Sequence, residues 1–266
     1  MSVSDQTDGG VAHLEIKNVS LRFGGTLALQ AAEFDAARGK VIGIVGPNGA
    51  GKTSLLNCIN GFYRPHEGEI RFEGTSITGL RPSKIARLGI GRTFQNVELF
   101  KESTVLDNIM LGRHMMIKQS SLSAALHFGR ARREEAANRE AVEEIIEFLG
   151  IEHLRKRVVA GLPWGLQKMV EIGRAIATEP RLLMLDEPTA GMNQDEKAEV
   201  TEAILRMKND MGVTQLLIEH DMRFVFEICD EIVVLDYGEV IAQGPPDAIV
   251  QDQRVIEAYL GTGALG

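Results

Sequence analysis

Gly46-Pro47-Asn48-Gly49-Ala50-Gly51-Lys52-Thr53-Ser54 is the stretch that decides the fold, and it matches the pattern GxxxxGK followed by Ser or Thr. The apolar run Val41–Val45 precedes it and is typical of a strand buried on both faces. Leu55, Leu56 and Ile59 follow it at helical spacing. A strand, a glycine-rich loop and a helix start, in this order, predict a loop that wraps around phosphate groups.

The ligand that this loop predicts is a nucleoside triphosphate, ATP with Mg²⁺. Glycines let backbone N–H groups turn around phosphate oxygens, and the helix start adds the positive end of its dipole. We expect Lys52 to reach the β- and γ-phosphates and the Thr53 hydroxyl to ligate magnesium. The other residues of the predicted nucleotide site in this loop are Gly46, Asn48, Gly49, Gly51 and Ser54.

Two adjacent acids, Asp186 and Glu187, follow a second apolar run, Leu182–Leu185. Ligands of open α/β sheets bind beyond the carboxyl ends of the strands, where these acids are expected. Asp186 is predicted to hold magnesium directly or through water, and Glu187 to activate an attacking water as general base. The alternative is a solvated acidic turn after a strand.

Bulk composition excludes several classes of protein. The chain has 266 residues and a formal charge of −8, so it lacks the basic field of a dedicated nucleic-acid binder, and we expect no nucleic-acid partner. Its two cysteines, Cys58 and Cys229, are far apart, which fits a reducing compartment. Its longest apolar runs are too short to cross a membrane. The polar start, residues 1–11, is predicted to be flexible, and it lacks the features of a signal peptide.

Strand and helix patterns alternate along the chain and predict an α/β fold with a mostly parallel sheet. Leu14–Phe23 alternates as a strand with one phase slip, which suggests a bulge. No strand pattern occurs from about Glu102 to Val159, so a helical subdomain is expected there. Later strands are predicted at Leu182–Asp186, Thr214–Glu219 and Glu231–Asp236, the last continuing into a hairpin.

With Asp186-Glu187-Pro188-Thr189 after its strand, the chain resembles the ATP-binding subunits of ABC transporters from about Leu14 to Ala242. The resemblance implies a P-loop NTPase (RecA-like) fold: a mostly parallel sheet core, an antiparallel β subdomain and an inserted helical subdomain at about 96–162. The ATP-binding domain would span 12–245, followed by a C-terminal helical tail at 246–266.

The resemblance also implies roles for three isolated residues. Phe23 would stack on adenine, although a buried core phenylalanine is the alternative. Gln95 would contact magnesium and the attacking water and couple them to the transmembrane partner. His220 would be the switch histidine that contacts the γ-phosphate.

Two motifs depart from the family pattern. Leu162-Pro163-Trp164-Gly165-Leu166-Gln167 stands at the LSGGQ signature, which closes over the nucleotide of a second subunit, and it keeps only Leu162, Gly165 and Gln167. Pro163 has no hydroxyl or N–H, so the N–H of Gly165 and the helix start are expected to carry the anion. Asn193, in the following loop Ala190–Asn193, stands for an aspartate and would hydrogen-bond across the dimer.

These departures allow two interpretations: a slow or degenerate site, or a trait of one branch. Signatures of this type, a long helical insert around His114 to Arg139 and the ending Val255–Gly261 resemble the importers of branched-chain amino acids and related hydrophobic or amide substrates. We interpret the departures as that branch trait.

The implied partners are a second ATP-binding subunit, identical or paralogous, transmembrane permease subunits and, indirectly, a periplasmic substrate-binding protein. The implied location is the cytoplasmic face of the inner membrane, where the chain would be a peripheral Mg²⁺-dependent ATPase. Three alternatives stay open: an exporter ATPase of lipopolysaccharide type, a non-transport ABC ATPase in DNA repair, chromosome organisation or translation, and a P-loop GTPase. The sequence does not identify the transported molecule.

Overall fold

The computed structural model describes residues 12–93, 99–116 and 128–260, with side chains except at 115–116, 128–134 and 260. The strands are β1 Leu14–Phe23, β2 Thr26–Ala36, β3 Val41–Val45, β4 Glu67–Phe72, β5 Thr75–Ser76, β6 Ile90–Arg92, β7 Leu182–Asp186, β8 Thr214–Ile218, β9 Glu231–Asp236 and β10 Glu239–Gly244. The helices are α1 Lys52–Ile59, α2 Pro82–Arg87, α3 Val105–Met116, α4 Phe128–Phe148, α5 Trp164–Ile176, α6 Gln194–Asn209, α7 Met222–Ile228, α8 Pro246–Gln251 and α9 Gln253–Leu260.

A six-stranded sheet in the order β10-β9-β3-β8-β7-β6 forms the centre of the molecule. Its strands are parallel except β10, which returns from β9 as the predicted hairpin. Every residue of β3, β7 and β8 is buried, because helices and a second sheet cover both faces. The mostly parallel sheet that the sequence predicted is therefore confirmed.

The second sheet is antiparallel, with the order β2-β1-β4-β5. The predicted slip in β1 is real: its pairing with β2 shifts between Ile16 and Val19 and again further along the strand. The sequence did not predict β2, in which polar residues and a left-handed Ala31 (φ 45°) break the alternation. It also did not predict β6, which is only three residues long and contains a glycine.

The helices α3 and α4 lie between β6 and β7 in the chain and pack with α5. In the described part of the predicted strand-free region, the pairing is one isolated bridge between Thr104 and Val158. The residue limits of the predicted domains stay predictions. No helix among the described residues has an apolar stretch long enough to span a membrane.

The topology brings three predicted site segments to one edge of the central sheet. The strands β3, β7 and β8 are adjacent and parallel, so their carboxyl ends point the same way. The phosphate loop follows β3, Asp186 ends β7, and His220 lies two residues beyond β8. Residues about 140 and 170 positions from the loop thus reach the edge where ligands of such sheets bind.

Candidate functional site: a phosphate loop and the strand ends beside it

Backbone geometry makes two glycines of the phosphate loop obligatory. Gly46 has a φ of 146°, and a Cβ there would lie 2.0 Å from the carbonyl oxygen of Leu235 on β9. Gly51 has a φ of 104°, and a Cβ there would lie 2.5 Å from the carbonyl oxygen of Ala28 on β2. Any other residue would collide with the backbone of the central sheet at position 46 and with the backbone of the antiparallel sheet at position 51. The loop therefore keeps its shape only with these glycines.

Lys52 begins α1 and folds back into the loop. Its Nζ donates hydrogen bonds to the carbonyl oxygens of Gly46 (2.7 Å) and Pro47 (3.0 Å). Burial lowers the pKa of Lys52, and the charges of Glu187 and Asp186 oppose that shift. The ammonium is thus held inside the loop, within the field of the acid pair. The other predicted loop residues line the open side: Asn48, Gly49 and Thr53 are exposed and Ser54 is half-buried.

Asp186, the last residue of β7, is almost completely buried. The guanidinium of Arg92 donates to its Oδ2 at 2.9 Å and also donates to the side chain of Asn57 on α1 at 2.6 Å. Arg92 was not predicted as part of the site. A local signal was available, since Arg92 is a charged residue at the end of a short segment just before the predicted Gln95. The sequence around it does not indicate, however, that β6 pairs with β7.

Glu187 adopts a left-handed backbone conformation with φ 47°. Such a conformation costs a non-glycine residue roughly 1–3 kcal/mol and is common at functional positions. The backbone N–H of Glu187 donates to the carbonyl oxygen of Ile218 on β8 at 2.9 Å, which holds the turn. The side chain then meets His220, whose Nε2 lies 3.0 Å from Glu187 Oε1. The structure therefore joins two residues that the sequence predicted separately.

A buried carboxylate, Glu219, supports this contact and was not predicted. Its Oε1 accepts from the backbone N–H and the hydroxyl of Thr189, at 2.9 and 2.6 Å. Its Oε2 accepts from the backbone N–H of His220 at 3.2 Å. Glu219 thus ties the segment after Glu187 to the segment that carries His220. An acid directly after an apolar strand was the available signal.

The two remaining single-residue predictions have different outcomes. Phe23 lies at the end of β1 with 46% of its surface exposed, so it is not a buried core residue. Its ring packs edge-to-face against Tyr63 with a centroid distance of 5.0 Å. Gln95 lies outside the described residues, as do the start at 1–11, part of the predicted insert and the end from Gly261.

The signature segment forms the start of α5. Leu162 and Gly165 are buried, and the Nε2 of Gln167 donates to the carbonyl oxygen of Leu162 at 2.8 Å. Pro163 is the N-cap residue and makes no side-chain capping bond. In the neighbouring loop Asn193 caps α6, because its side chain accepts from the backbone N–H of Glu196 at 3.0 Å.

The C-terminal helix α9 reaches the back of the phosphate loop through Tyr259. Burial raises the pKa of Tyr259 to about 12, and a hydrogen bond with the backbone of Gly46 opposes that rise. The hydroxyl also lies 3.7 Å from the Sδ of Met222, at the start of α7. A cavity of about 540 Å³, lined in part by Asn48, Tyr237 and Arg254, lies between loop and helix. The sequence pattern did not predict this contact.

The residues present fit a magnesium-bound nucleotide. No cluster of three or more His, Cys, Asp or Glu side chains occurs in the described ranges. Mg²⁺ does not need one, since it is usually bound by one or two protein oxygens together with waters and substrate phosphates. The hydroxyl of Thr53 and the carboxylate of Asp186 are oxygen donors of that kind, and Gly46 and Gly51 shape the backbone cradle beside them.

A phosphate loop before α1, an acid pair at the carboxyl end of β7 and a histidine after β8 together define an ATP-binding cassette of the P-loop NTPase fold. Residues 29–190 match the family described as ABC transporter, and residues 239–264 match the family described as branched-chain amino acid ATP-binding cassette transporter. The chain belongs to the ABC transporter family, as one of its ATPase cassettes.

Curated relatives match over nearly the whole chain. The high-affinity branched-chain amino acid transport ATP-binding protein BraF of Pseudomonas aeruginosa is 41% identical over 248 residues, covering 93% of this chain and 97% of BraF. The corresponding protein LivG of Escherichia coli is 38% identical with the same coverage. A probable LivG of Archaeoglobus fulgidus is 37% identical, covering 93% of this chain and 95% of that protein.

Solved structures agree with the fold. A nucleotide-free ATP-binding cassette from an ABC transporter superposes with a TM-score of 0.81 at 34% identity, covering 94% of this chain and 99% of that one. The ADP conformation of an ATP-binding cassette of an ABC transporter gives a TM-score of 0.82 at 34% identity, covering 95% of this chain and 100% of that one.

Proposed function

We propose that this chain is the ATP-hydrolysing subunit of an importer for branched-chain or related amino acids or amides. The observation that carries the ATPase chemistry is the 3.0 Å contact between His220 and Glu187 beside the phosphate loop. The match of residues 239–264 to the branched-chain amino acid cassette family supports the substrate class, together with the names of BraF and LivG.

One side of the nucleotide would be bound only by groups of this chain. Backbone N–H groups of the phosphate loop and the N-terminus of α1 face the phosphates, and Lys52 turns from its carbonyl partners toward them. Phe23 offers an exposed ring for the adenine. Magnesium, held by Thr53, Asp186 and Gln95, would neutralise charge that develops on the phosphate oxygens.

Hydrolysis requires a water aligned with the terminal phosphate and a base that accepts its proton. Glu187 is the base in this proposal, since it directly follows Asp186 at the carboxyl end of β7, beside the proposed magnesium site. His220 fixes the orientation of that carboxylate through their contact, and Glu219 holds the backbone N–H groups of Thr189 and His220. Arg92, which pairs with Asp186, has to accommodate the metal beside that carboxylate.

The opposite side of the nucleotide would come from a second cassette, identical or paralogous. The signature segment Leu162–Gln167 would cover the terminal phosphate of that second subunit with the N–H of Gly165 and the helix start of α5. Asn193 would contribute an uncharged hydrogen bond across the interface. Dimer closure would then move permease subunits at the cytoplasmic face of the inner membrane, while a periplasmic binding protein delivers the substrate to them.

The test is reconstitution of the complex that co-purifies with this chain. ATPase activity in proteoliposomes is measured with the binding protein and leucine, isoleucine, valine, a short amide or no substrate. Stimulation by a branched-chain amino acid or an amide supports the proposal. Stimulation by neither, with intact basal turnover, contradicts the substrate class; co-purification with no permease contradicts the transport role.

A further inference from the structure

The signature segment contacts the loop Ala190–Asn193 of its own chain through Trp164. The indole Nε1 of Trp164 donates a hydrogen bond to the carbonyl oxygen of Ala190 at 3.1 Å. The ring also runs alongside Gly191, where a Cβ would lie 3.9 Å from Nε1. Trp164 is nonetheless 43% exposed, so it is not a core residue and its position is not explained by burial.

Gly165 makes a second contact, between the signature segment and the start of α6. A Cβ at Gly165 would lie 2.7 Å from the Oε1 of Glu196. The other carboxylate oxygen of Glu196 accepts from the backbone N–H of Asn193 at 3.0 Å, as one half of the capping box of α6. The start of α5 therefore rests on the capped start of α6, and the two helix starts are positioned by each other.

The loop that Trp164 holds is itself tied to Glu187. The backbone N–H of Ala190 donates to the carbonyl oxygen of Glu187 at 3.3 Å, and the N–H of Met192 donates to the carbonyl oxygen of Thr189 at 3.2 Å. One tight turn thus connects the indole hydrogen bond to the backbone of the proposed base. Two consecutive hydrogen bonds therefore link the side chain of Trp164 to the backbone of Glu187.

We infer that Trp164 is a positioning residue that couples the two nucleotide sites of the dimer. The inference rests on the proposed function, in which the signature segment of one subunit covers the nucleotide of the other. Glu187 of that same subunit acts on its own nucleotide. Trp164 therefore transmits the state of the partner's nucleotide to the turn that carries Glu187, and each site becomes sensitive to the occupancy of the other.

The decisive variant is Trp164→Phe, which keeps an aromatic ring but removes the N–H donor. The Hill coefficient of ATPase activity against ATP is expected to fall toward one, and kcat is expected to drop between about 3-fold and about 10-fold. KM for ATP should change less than about 2-fold, because the residue does not touch the phosphate loop of its own chain. Met211→Ala removes another exposed apolar side chain, 44% exposed, and serves as the matched control.

Trp164 is the only tryptophan of the chain, so intrinsic fluorescence reports on it directly. The variant Glu187→Gln, which should retain ATP, is titrated with Mg-ATP. Its molecular mass in solution and its tryptophan emission are followed for the variant alone and for the variant mixed with the second ATP-binding subunit of the co-purified complex. The emission is expected to change at the ATP concentration at which the mass doubles, since the signature segment then meets the second nucleotide.

The outcomes separate the two proposals. If Glu187→Gln never dimerises with ATP under either condition, the dimer in the proposed function is wrong and the coupling falls with it. If it dimerises while Trp164→Phe keeps the parent's Hill coefficient and kcat, the dimer stands and the role of Trp164 is overturned. A loss of cooperativity in Trp164→Phe but not in Met211→Ala supports the inference.

Discussion

The phosphate loop and the signature segment are both predicted to contact the terminal phosphate, yet they are held in different ways. Gly46 and Gly51 are required because any Cβ would meet a backbone carbonyl at 2.0 or 2.5 Å. The signature segment instead depends on side chains, above all Trp164 on Ala190. Steric exclusion by backbone tolerates no change, whereas side-chain contacts can be replaced. The loop keeps the family pattern in full, while the signature departs from it at Pro163, Trp164 and Leu166.

The largest expected effect tests the base. Glu187→Gln removes a carboxylate that can accept a proton but keeps a side chain of the same shape at the contact with His220. Turnover should fall roughly 100-fold to 10,000-fold while ATP binding persists. Single-turnover hydrolysis together with nucleotide binding measures both. Glu199→Gln, an exposed acid on α6, is the control; unchanged turnover in Glu187→Gln would remove the proposed base.

The second largest effect is expected for a substitution in the phosphate loop. Lys52→Ala deletes the cation that the carbonyl oxygens of Gly46 and Pro47 hold inside the loop. Affinity for ATP should fall about 100-fold, as expected for the loss of charge-assisted hydrogen bonds to phosphate. Isothermal titration measures this, with Lys40→Ala as a control whose side chain is 50% exposed. An unchanged affinity for ATP would contradict the contrast drawn between the phosphate loop and the signature segment, because the loop would then not be the rigid half of the site.

A smaller effect is expected at the histidine. His220→Ala leaves Glu187 in its strained backbone conformation but without the contact at 3.0 Å. ATP should still bind, and kcat should fall about 10-fold to 100-fold because the base is less well oriented. Steady-state kinetics separate kcat from KM, and His153→Ala on the surface is the control. Wild-type kcat would show that Glu219 alone positions this turn.

The smallest effect should come from Pro163→Ser, which tests the signature segment in place of the phosphate loop. A serine N-cap adds about 1 kcal/mol to the stability of α5, while loss of proline costs about 0.4–1 kcal/mol through the unfolded chain. The melting temperature should therefore move by less than about 2 °C, and turnover by less than about 2-fold. Differential scanning calorimetry and ATPase assays check both. A large gain in turnover would mean that the signature is degenerate and not a branch trait.

Sequence patterns predicted most of the central sheet and one half of the site, for a physical reason. β3, β7 and β8 are continuous apolar runs because both faces are covered, and such runs are visible without tertiary information. By contrast β2 has an irregular backbone and β6 is short, so neither has a clear period. Arg92, Glu219 and Tyr259 were not predicted because their roles depend on partners far away in the chain.

The sequence by itself determined the glycine-rich loop, the acid pair after its strand and the ATPase class, because these depend on residue type at fixed local spacing. Only the tertiary structure decided what surrounds them: the pairing of Arg92 with Asp186, the contact of His220 with Glu187 and the hydrogen bond of Trp164 to Ala190. Each joins segments that are 26 to 94 residues apart. Local propensity carries no information about such contacts, which arise only when parallel strands align their carboxyl ends and adjacent helix starts pack together.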